Sequence, residues 1–401
     1  MRGALAIAIV TLIFGLASRP TSSLQSSDSF SPLDSIQMID AQIGWAVTAR
    51  CDPCPPDIVS GLVLRTTNGG TQWKDVTPAD SSGKRTGVID FYVFNSQIAL
   101  VGSWVRKSSR EGSVEIFRTV DAGLTWKTIT NPGWSSISFL NPREGWLIHD
   151  IGGYTGHTDV DIYRSADGGE TWIKASSNTD RNSGLTNLSG MTGITFFNST
   201  TGLITGLGIL SDWQYLYVTR DGGRTWQEQK LPLPPQLTPH WEAYLWPPRV
   251  FTAQDGILRA DYTTSHRSDP NAETEHTRPV TVFYVTRDGG TTWMYTTAVP
   301  VSENRINPRP RPSTFIDMSH GWVKSEDTLY MTSDGGRQWT KVHSSQLFGD
   351  VTHLAFISQE VGWAVRNTDP YGGGARQTFP FLLKTLDGGR TWTTLAYSIS
   401  R

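Results

Sequence analysis

Cysteine is almost absent from this chain. There are two in 401 residues, both in the stretch Cys51-Asp52-Pro53-Cys54. A disulfide framework therefore cannot carry the fold. A zinc site built on this pair would need two more ligands, and none stands nearby in sequence. A thioredoxin-like redox pair belongs at a helix N-terminus in a βαβ setting, which is missing around these residues. The reading that remains is a Cys51–Cys54 disulfide cinching a proline-rich loop (Pro53, Pro55, Pro56) in an oxidising compartment. Excess charge is lacking too. A formal net charge of −2 gives no global field for nucleic acid or an anionic membrane, so neither is expected as a partner. The eight histidines show no metal-ligand spacing: His149 and His157 flank one expected loop, and His266 and His276 lie in another. No glycine-rich phosphate loop precedes a helix. Neither a metal nor an organic cofactor is expected. Sustained helical periodicity is missing, and beyond residue 17 no apolar run approaches the roughly 20 residues of a membrane span.

What the chain has instead is repetition. The pattern Ser/Thr-x-Asp-x-Gly-x-x-Trp occurs seven times, ending at Trp73, Trp126, Trp172, Trp226, Trp293, Trp339 and Trp392. Successive copies are thus 53, 46, 54, 67, 46 and 53 residues apart, a period typical of propellers and arrays. The acidic position is Asp121, Asp167, Asp221, Asp288, Asp334 and Asp387, with Asn68 in the first copy. Such a side chain accepts hydrogen bonds from backbone N–H groups just after it, and an Asn oxygen does the same. Two residues on, every copy has glycine (Gly70, Gly123, Gly169, Gly223, Gly290, Gly336, Gly389), which predicts a positive φ there. The preceding position relaxes to Ala122 in the second copy, so the second glycine is expected to matter more. The closing Trp reads as a wedge between sheets.

Upstream of several boxes lies a second element: Gly44-Trp45-Ala46-Val47, Gly145-Trp146-Leu147-Ile148, Gly321-Trp322-Val323-Lys324 and Gly362-Trp363-Ala364-Val365. A shorter apolar run precedes it, as in Ile137-Ser138-Phe139. Each unit then reads as strand, turn, strand, loop, strand, acidic box, strand. Seven such units predict an all-β, seven-bladed β-propeller of four-stranded antiparallel blades spanning residues 34–401. All repeats run in the same phase, so no strand is expected to be exchanged between the two ends. Closure would then rest on packing of the last blade against the first, unless residues 24–32 add a strand.

These residues resemble the Asp-box, or BNR, repeat family. The pairing of Gly-Trp-x-Val with Thr-x-Asp-Gly-Gly-x-Thr-Trp is most similar to the photosystem II assembly/stability factor-like propellers and their non-photosynthetic bacterial relatives. The resemblance implies structural acidic boxes, no catalysis, and a role in escorting or assembling other proteins outside the compartment of synthesis. The superfamily also holds glycosidases. A sialidase-like member would need an arginine triad, a Tyr–Glu pair and usually an Arg-Ile-Pro motif, which this chain lacks. A xyloglucanase-like member would need two propellers, and this chain has room for one.

The N-terminus reads as an export signal. Arg2 precedes an apolar stretch over residues 3–17, and Gly15-Leu16-Ala17 is a small-x-small cleavage site. Residues 1–23 are assigned to the signal and cleavage region and 24–33 to a leader. The mature protein is expected in the periplasm or secreted, in a thylakoid lumen only in a photosynthetic source, as a monomer without a membrane span.

Long, variable connections fall mainly on one face of the expected disc, which points to binding there. Several are basic: Arg106, Lys107 and Arg110 in one, Arg305, Arg309 and Arg311 in another stiffened by Pro308, Pro310 and Pro312. Arginine suits recognition of carboxylates and other planar anions. Eleven of the 16 tryptophans belong to the two repeated elements; Trp241 and Trp246, flanking Tyr244, lie in the proline-rich insert 232–248. On a stiff loop they would contact protein or sugar; folded back, they would be buried against the fourth and fifth blades. Loop carboxylates such as Asp150, Asp159, Asp161, Glu242 and Asp269 leave a glycosidase or carbohydrate-binding propeller as the second reading, because glycoside hydrolysis needs a carboxylate pair about 5–10 Å apart.

Overall fold

The computed structural model describes residues 33–400 apart from 49–60, 81–82, 84–85, 107–111, 130–131, 134–135, 155–156, 187–189, 209–213, 236–240, 265–279, 301–311, 345–347 and 367–380. Among the described residues the structure is all strand, turn and loop, with one 3-10 turn at Arg181–Ser183. No helix there is long and apolar enough to cross a membrane.

Short runs rich in β-branched and aromatic residues, cut by Gly-Gly turns, leave no other local option. The first repeat runs Leu33–Met38, Gly44–Thr48, Val63–Thr66 and Gln72–Asp75, each strand antiparallel to the one before. The described strands form six sheets: four of four strands, one of five and one of ten. The largest holds both the fourth and fifth repeats, joined where Leu207 and Gly208 pair with Tyr244 and Ala243.

Seven apolar clusters occur among the described residues, and each draws on two consecutive repeats. Each box Trp lies in the cluster shared with the repeat before it. The Gly-Trp residues face the opposite way: Trp146 joins Trp226 in one cluster, and Trp322 joins Trp392 in another. Burying one indole removes roughly 200 Å² from water, about 5 kcal/mol before entropy is subtracted. The same indoles are pinned by hydrogen bonds to the next box: Trp146 Nε1 donates to Gly222 O at 2.9 Å and Trp322 Nε1 to Gly388 O at 3.1 Å.

The two chain ends are joined in the same way. Trp363 and Leu382 of the seventh repeat share a cluster with Ile36, Leu64 and Trp73 of the first. Trp363 Nε1 donates to Gly69 O at 3.1 Å across 294 residues of chain, and His353 Nε2 lies 2.8 Å from Ile36 O. The sheets therefore close into a ring. A strand is also exchanged, contrary to the in-phase expectation. Ser398–Ser400 runs parallel to the first repeat's outer strand, pairing Ser398 with Gln72, Ile399 with Trp73 and Ser400 with Lys74. That strand makes the first sheet five-stranded and covers an edge that would otherwise be open.

Two expected loops are strands. Gly145–Tyr154 and His157–Ser165 form one long hairpin, which places His149 opposite Asp161 rather than across a loop. Trp241–Leu245 extends the inner strand of the fifth repeat, pairing with residues 260–264 before Arg249–Val250 resumes the same ladder.

Candidate binding face and inner cavities

Each acidic box is a closed set of hydrogen bonds. In the second copy, Thr119 Oγ1 donates to Asp121 Oδ1 at 2.8 Å and accepts from Gly123 N at 2.9 Å. Thr125 donates to the same carboxylate through its N–H at 2.9 Å and its hydroxyl at 2.5 Å. In the first copy Asn68 Oδ1 accepts from Gln72 N at 2.9 Å, so the amide does replace the carboxylate. Hydrogen bonds to the ionised form hold the Asp121 carboxyl down at about 2, with the Thr125 hydroxyl contributing most. Asp167 and Asp387 also sit at about 2: burial alone would raise them, and the bonds from Thr171 and Thr391 override it. A carboxyl held ionised by its own turn has no proton to give, and both of its oxygens are engaged in the turn. Both glycines of the turn take positive φ, as in Gly69 (73°) and Gly70 (94°), and Ala122 adopts 66° despite its Cβ. The first position is thus as left-handed as the second, although alanine tolerates it once.

Of the basic residues, Arg106 ends the strand Ala99–Arg106. Lys107, Arg110, Arg305, Arg309 and Arg311 lie outside the described residues, as do Cys51 and Cys54. The aromatic insert does not stand out as a loop. Trp241 is buried, Tyr244 and Trp246 are half-buried, and Trp246 Nε1 donates to Asp261 Oδ2 at 2.8 Å.

That bond leads to a polar cluster which the sequence reading missed. Arg259 and Asp261 are both more than nine-tenths buried on the second strand of the fifth repeat. Arg259 Nε and one terminal nitrogen reach Asp261 Oδ1 at 3.2 and 3.0 Å, and Thr281 Oγ1 donates to the same oxygen at 2.6 Å. A partial signal was present: Arg259 stands where three repeats place Val47, Ile148 or Val365, although the sixth repeat also carries a cation there, Lys324. A buried cation at an apolar position needs a partner, and Asp261 is two residues on, on the same face of the strand.

A second buried acid, Asp161, is held by Lys174 Nζ at 2.6 Å and by the Tyr163 hydroxyl at 3.2 Å. Burial pushes its pKa up, but the bonds from Lys174, Ser177 and Tyr163 outweigh this and leave it below the usual value. Both buried acids are paired with a cation, and for Asp161 the lowered pKa is the opposite of the raised value a glycosidase acid requires. No group of three or more His, Cys, Asp or Glu able to hold a metal occurs among the described residues.

Two cavities lie along the inner strands. One of about 500 Å³ is lined by Tyr92 and residues 136–140, 194–197 and 250–253. The other, about 350 Å³, is lined by residues 246–249, 313–315, Ile257, Arg259 and Phe283. They meet at Pro247 and Pro248, which line both.

No protein-family model and no curated protein matches this sequence. Among solved structures, the chain is similar to YCF48 bound to a D1 peptide, with 15% identity and a TM-score of 0.50 over 89% of this chain and 92% of that one. It is also similar to YCF48 from Cyanidioschyzon merolae (15% identity, TM-score 0.45, 83% and 92% covered). A GH74 xyloglucanase from Xanthomonas campestris matches at 13% identity and a TM-score of 0.39, over 92% of this chain and 68% of that one. At these identities the likeness speaks to fold alone, and the fold is a β-propeller.

Proposed function

We propose that this chain is an exported, seven-bladed Asp-box propeller with four-stranded blades, and that it is a non-catalytic protein-binding module. Residues 1–23 act as the export signal, 24–33 as a leader, and 34–401 as the propeller, working outside the cytoplasm as a monomer. The observation that carries the reading is the closed hydrogen bonding of the boxes: the acids that recur are used up in holding turns. Function then falls to what does not recur, the basic connections bearing Arg106, Lys107, Arg110, Arg305, Arg309 and Arg311. A partner presenting carboxylates on an extended segment suits such a surface. YCF48, whose fold this chain resembles, is a propeller seen with a bound peptide, which supports the same class of role. The sequence resemblance to photosystem II assembly factors makes assembly or stabilisation of a larger protein the specific version.

The test is capture of partners from the native extracytoplasmic fraction, comparing wild type with Arg305, Arg309 and Arg311 changed together to Glu. A protein retained by wild type and lost from the triple variant, at equal thermal stability, is the expected result. No protein retained by either, with glycans retained by both, would reject the reading in favour of a carbohydrate-binding propeller.

A further inference from the structure

The cavity of about 350 Å³ beside the Pro247–Pro248 bulge holds more polar chemistry than the fold needs. Two arginines line it, and they are in different states. Arg259 is spent: two of its nitrogens bind Asp261, and a third donates to Ser313 Oγ at 3.3 Å. Arg249 has no carboxylate partner among the described residues. Its guanidinium lies 5.6 Å over the Phe251 ring and keeps access to solvent. The protein around it nevertheless strips enough water to lower its pKa. An exposed guanidinium with no carboxylate partner among the described residues, set in the wall of a cavity, is open to an anion delivered to it.

The remaining walls say which anion. Ser313 Oγ accepts from Arg259 and still has its own hydroxyl proton to donate. Trp246, Pro247 and Phe315 supply apolar surface. One uncompensated positive charge matches one negative charge. The planar guanidinium fork matches the two oxygens of a carboxylate, and the volume is at the lower end for small-molecule sites. We propose that this cleft binds a small organic carboxylate, its oxygens on Arg249 and Ser313 and its apolar body against Trp246, Pro247 and Phe315. None of these residues belongs to the basic set assigned to protein binding, so different substitutions test the two proposals.

The test uses the full-length protein and calorimetric titration with 3-phenylpropanoate, the matching amide 3-phenylpropanamide, and inorganic phosphate. One-to-one saturable binding of the acid is expected, with the amide and phosphate at least tenfold weaker. Arg249→Gln should weaken the acid at least tenfold without changing amide binding, and Arg249→Lys should fall between. Should Arg249→Gln fail to fold, Ser313→Ala serves, with a several-fold loss expected for the acid alone. No saturable binding of the acid, equal binding of acid and amide, tighter binding of phosphate, or an unchanged affinity in a folded Arg249→Gln protein would each overturn the proposal.

Discussion

Trp363→Phe tests ring closure most directly, because the bond it removes exists only if the two ends of the chain meet. The indole N–H donates to Gly69 O, and both residues are buried. Phenylalanine keeps a ring in the cluster but leaves that carbonyl without its partner. The lost bond is worth about 1 kcal/mol net, and the stranded acceptor adds about 1 kcal/mol more. The smaller ring forfeits roughly 40 Å² of apolar burial, about 1 kcal/mol. The Lys384 ammonium, 4.8 Å over the indole, loses part of a contact worth about 0.5 kcal/mol. The expected loss is about 2–4 kcal/mol.

The reference is Trp146→Phe, which removes the same bond, to Gly222 O, between the third and fourth repeats. In a closed ring the two substitutions cost the same within about 1 kcal/mol. In an open arc Trp363 would face solvent, and its replacement would cost less than about 0.5 kcal/mol, as surface changes do. Urea unfolding followed by far-UV circular dichroism gives both values, with the slope of each transition checking that compactness is unchanged. A Trp363→Phe protein as stable as wild type beside a Trp146→Phe protein weakened by 2 kcal/mol or more would refute the closed ring.

Three other outcomes follow from the same geometry. Removing residues 398–401 deletes the parallel strand on Gln72–Asp75 and should cost about 1–3 kcal/mol while speeding amide exchange near Trp73, whereas removing 350–401 should abolish cooperative unfolding altogether; a stable, cooperative 1–349 product would contradict closure. Gly123→Ala should destabilise by about 2–4 kcal/mol, since φ is +81° and a Cβ would lie 2.7 Å from Val76 Cβ; an unchanged urea midpoint would show that the turn relaxes freely. Folded Asp121, Asp167 and Asp387 titrate near 2, below the unfolded value of about 3.9, so their contribution is complete above about pH 4 and lost as pH falls from 4 towards 2. Changing all three to Asn, the residue that Asn68 already supplies in the first box, should flatten stability across that window, and an equally steep acid transition in the variant would rule the boxes out as its cause.

The boxes were legible in the sequence because their turn is local. A hydroxyl, an acceptor two residues on and a left-handed glycine complete their bonds within the turn, so spacing alone encodes it, whereas only some of the box indoles, such as Trp73, Trp226 and Trp392, bond within the box. The wedge role of Trp was legible for a related reason: an indole at the start of every fourth strand has only the neighbouring sheet to bury against. The exchanged strand was not legible. Ser398-Ile399-Ser400 carries no pattern that distinguishes a strand from a tail, and its partner is set by three-dimensional closure across more than 300 residues. The inner strand at Trp241–Leu245 was hidden by Pro247 and Pro248, which read as loop. Proline is tolerated there because the bulge interrupts the ladder between residues 245 and 249, so no strand N–H is needed at either position.

Departure from the repeat is the better guide to where chemistry sits. Val47, Ile148 and Val365 fill the fourth position of the Gly-Trp element with buried apolar side chains in three repeats, while the sixth repeat carries a half-exposed Lys324 there. Placing Arg259 at the equivalent point commits the fold to a buried ion pair, to Thr281 and Trp246 as its further ligands, and to a bulge that brings Trp246 within reach. A buried pair of this kind adds little stability over an apolar side chain. What it does accomplish is local: it ties Ser313 Oγ to the ion pair and leaves Arg249, ten residues earlier on the paired strand, as the one cation lining that cavity without a carboxylate among the described residues.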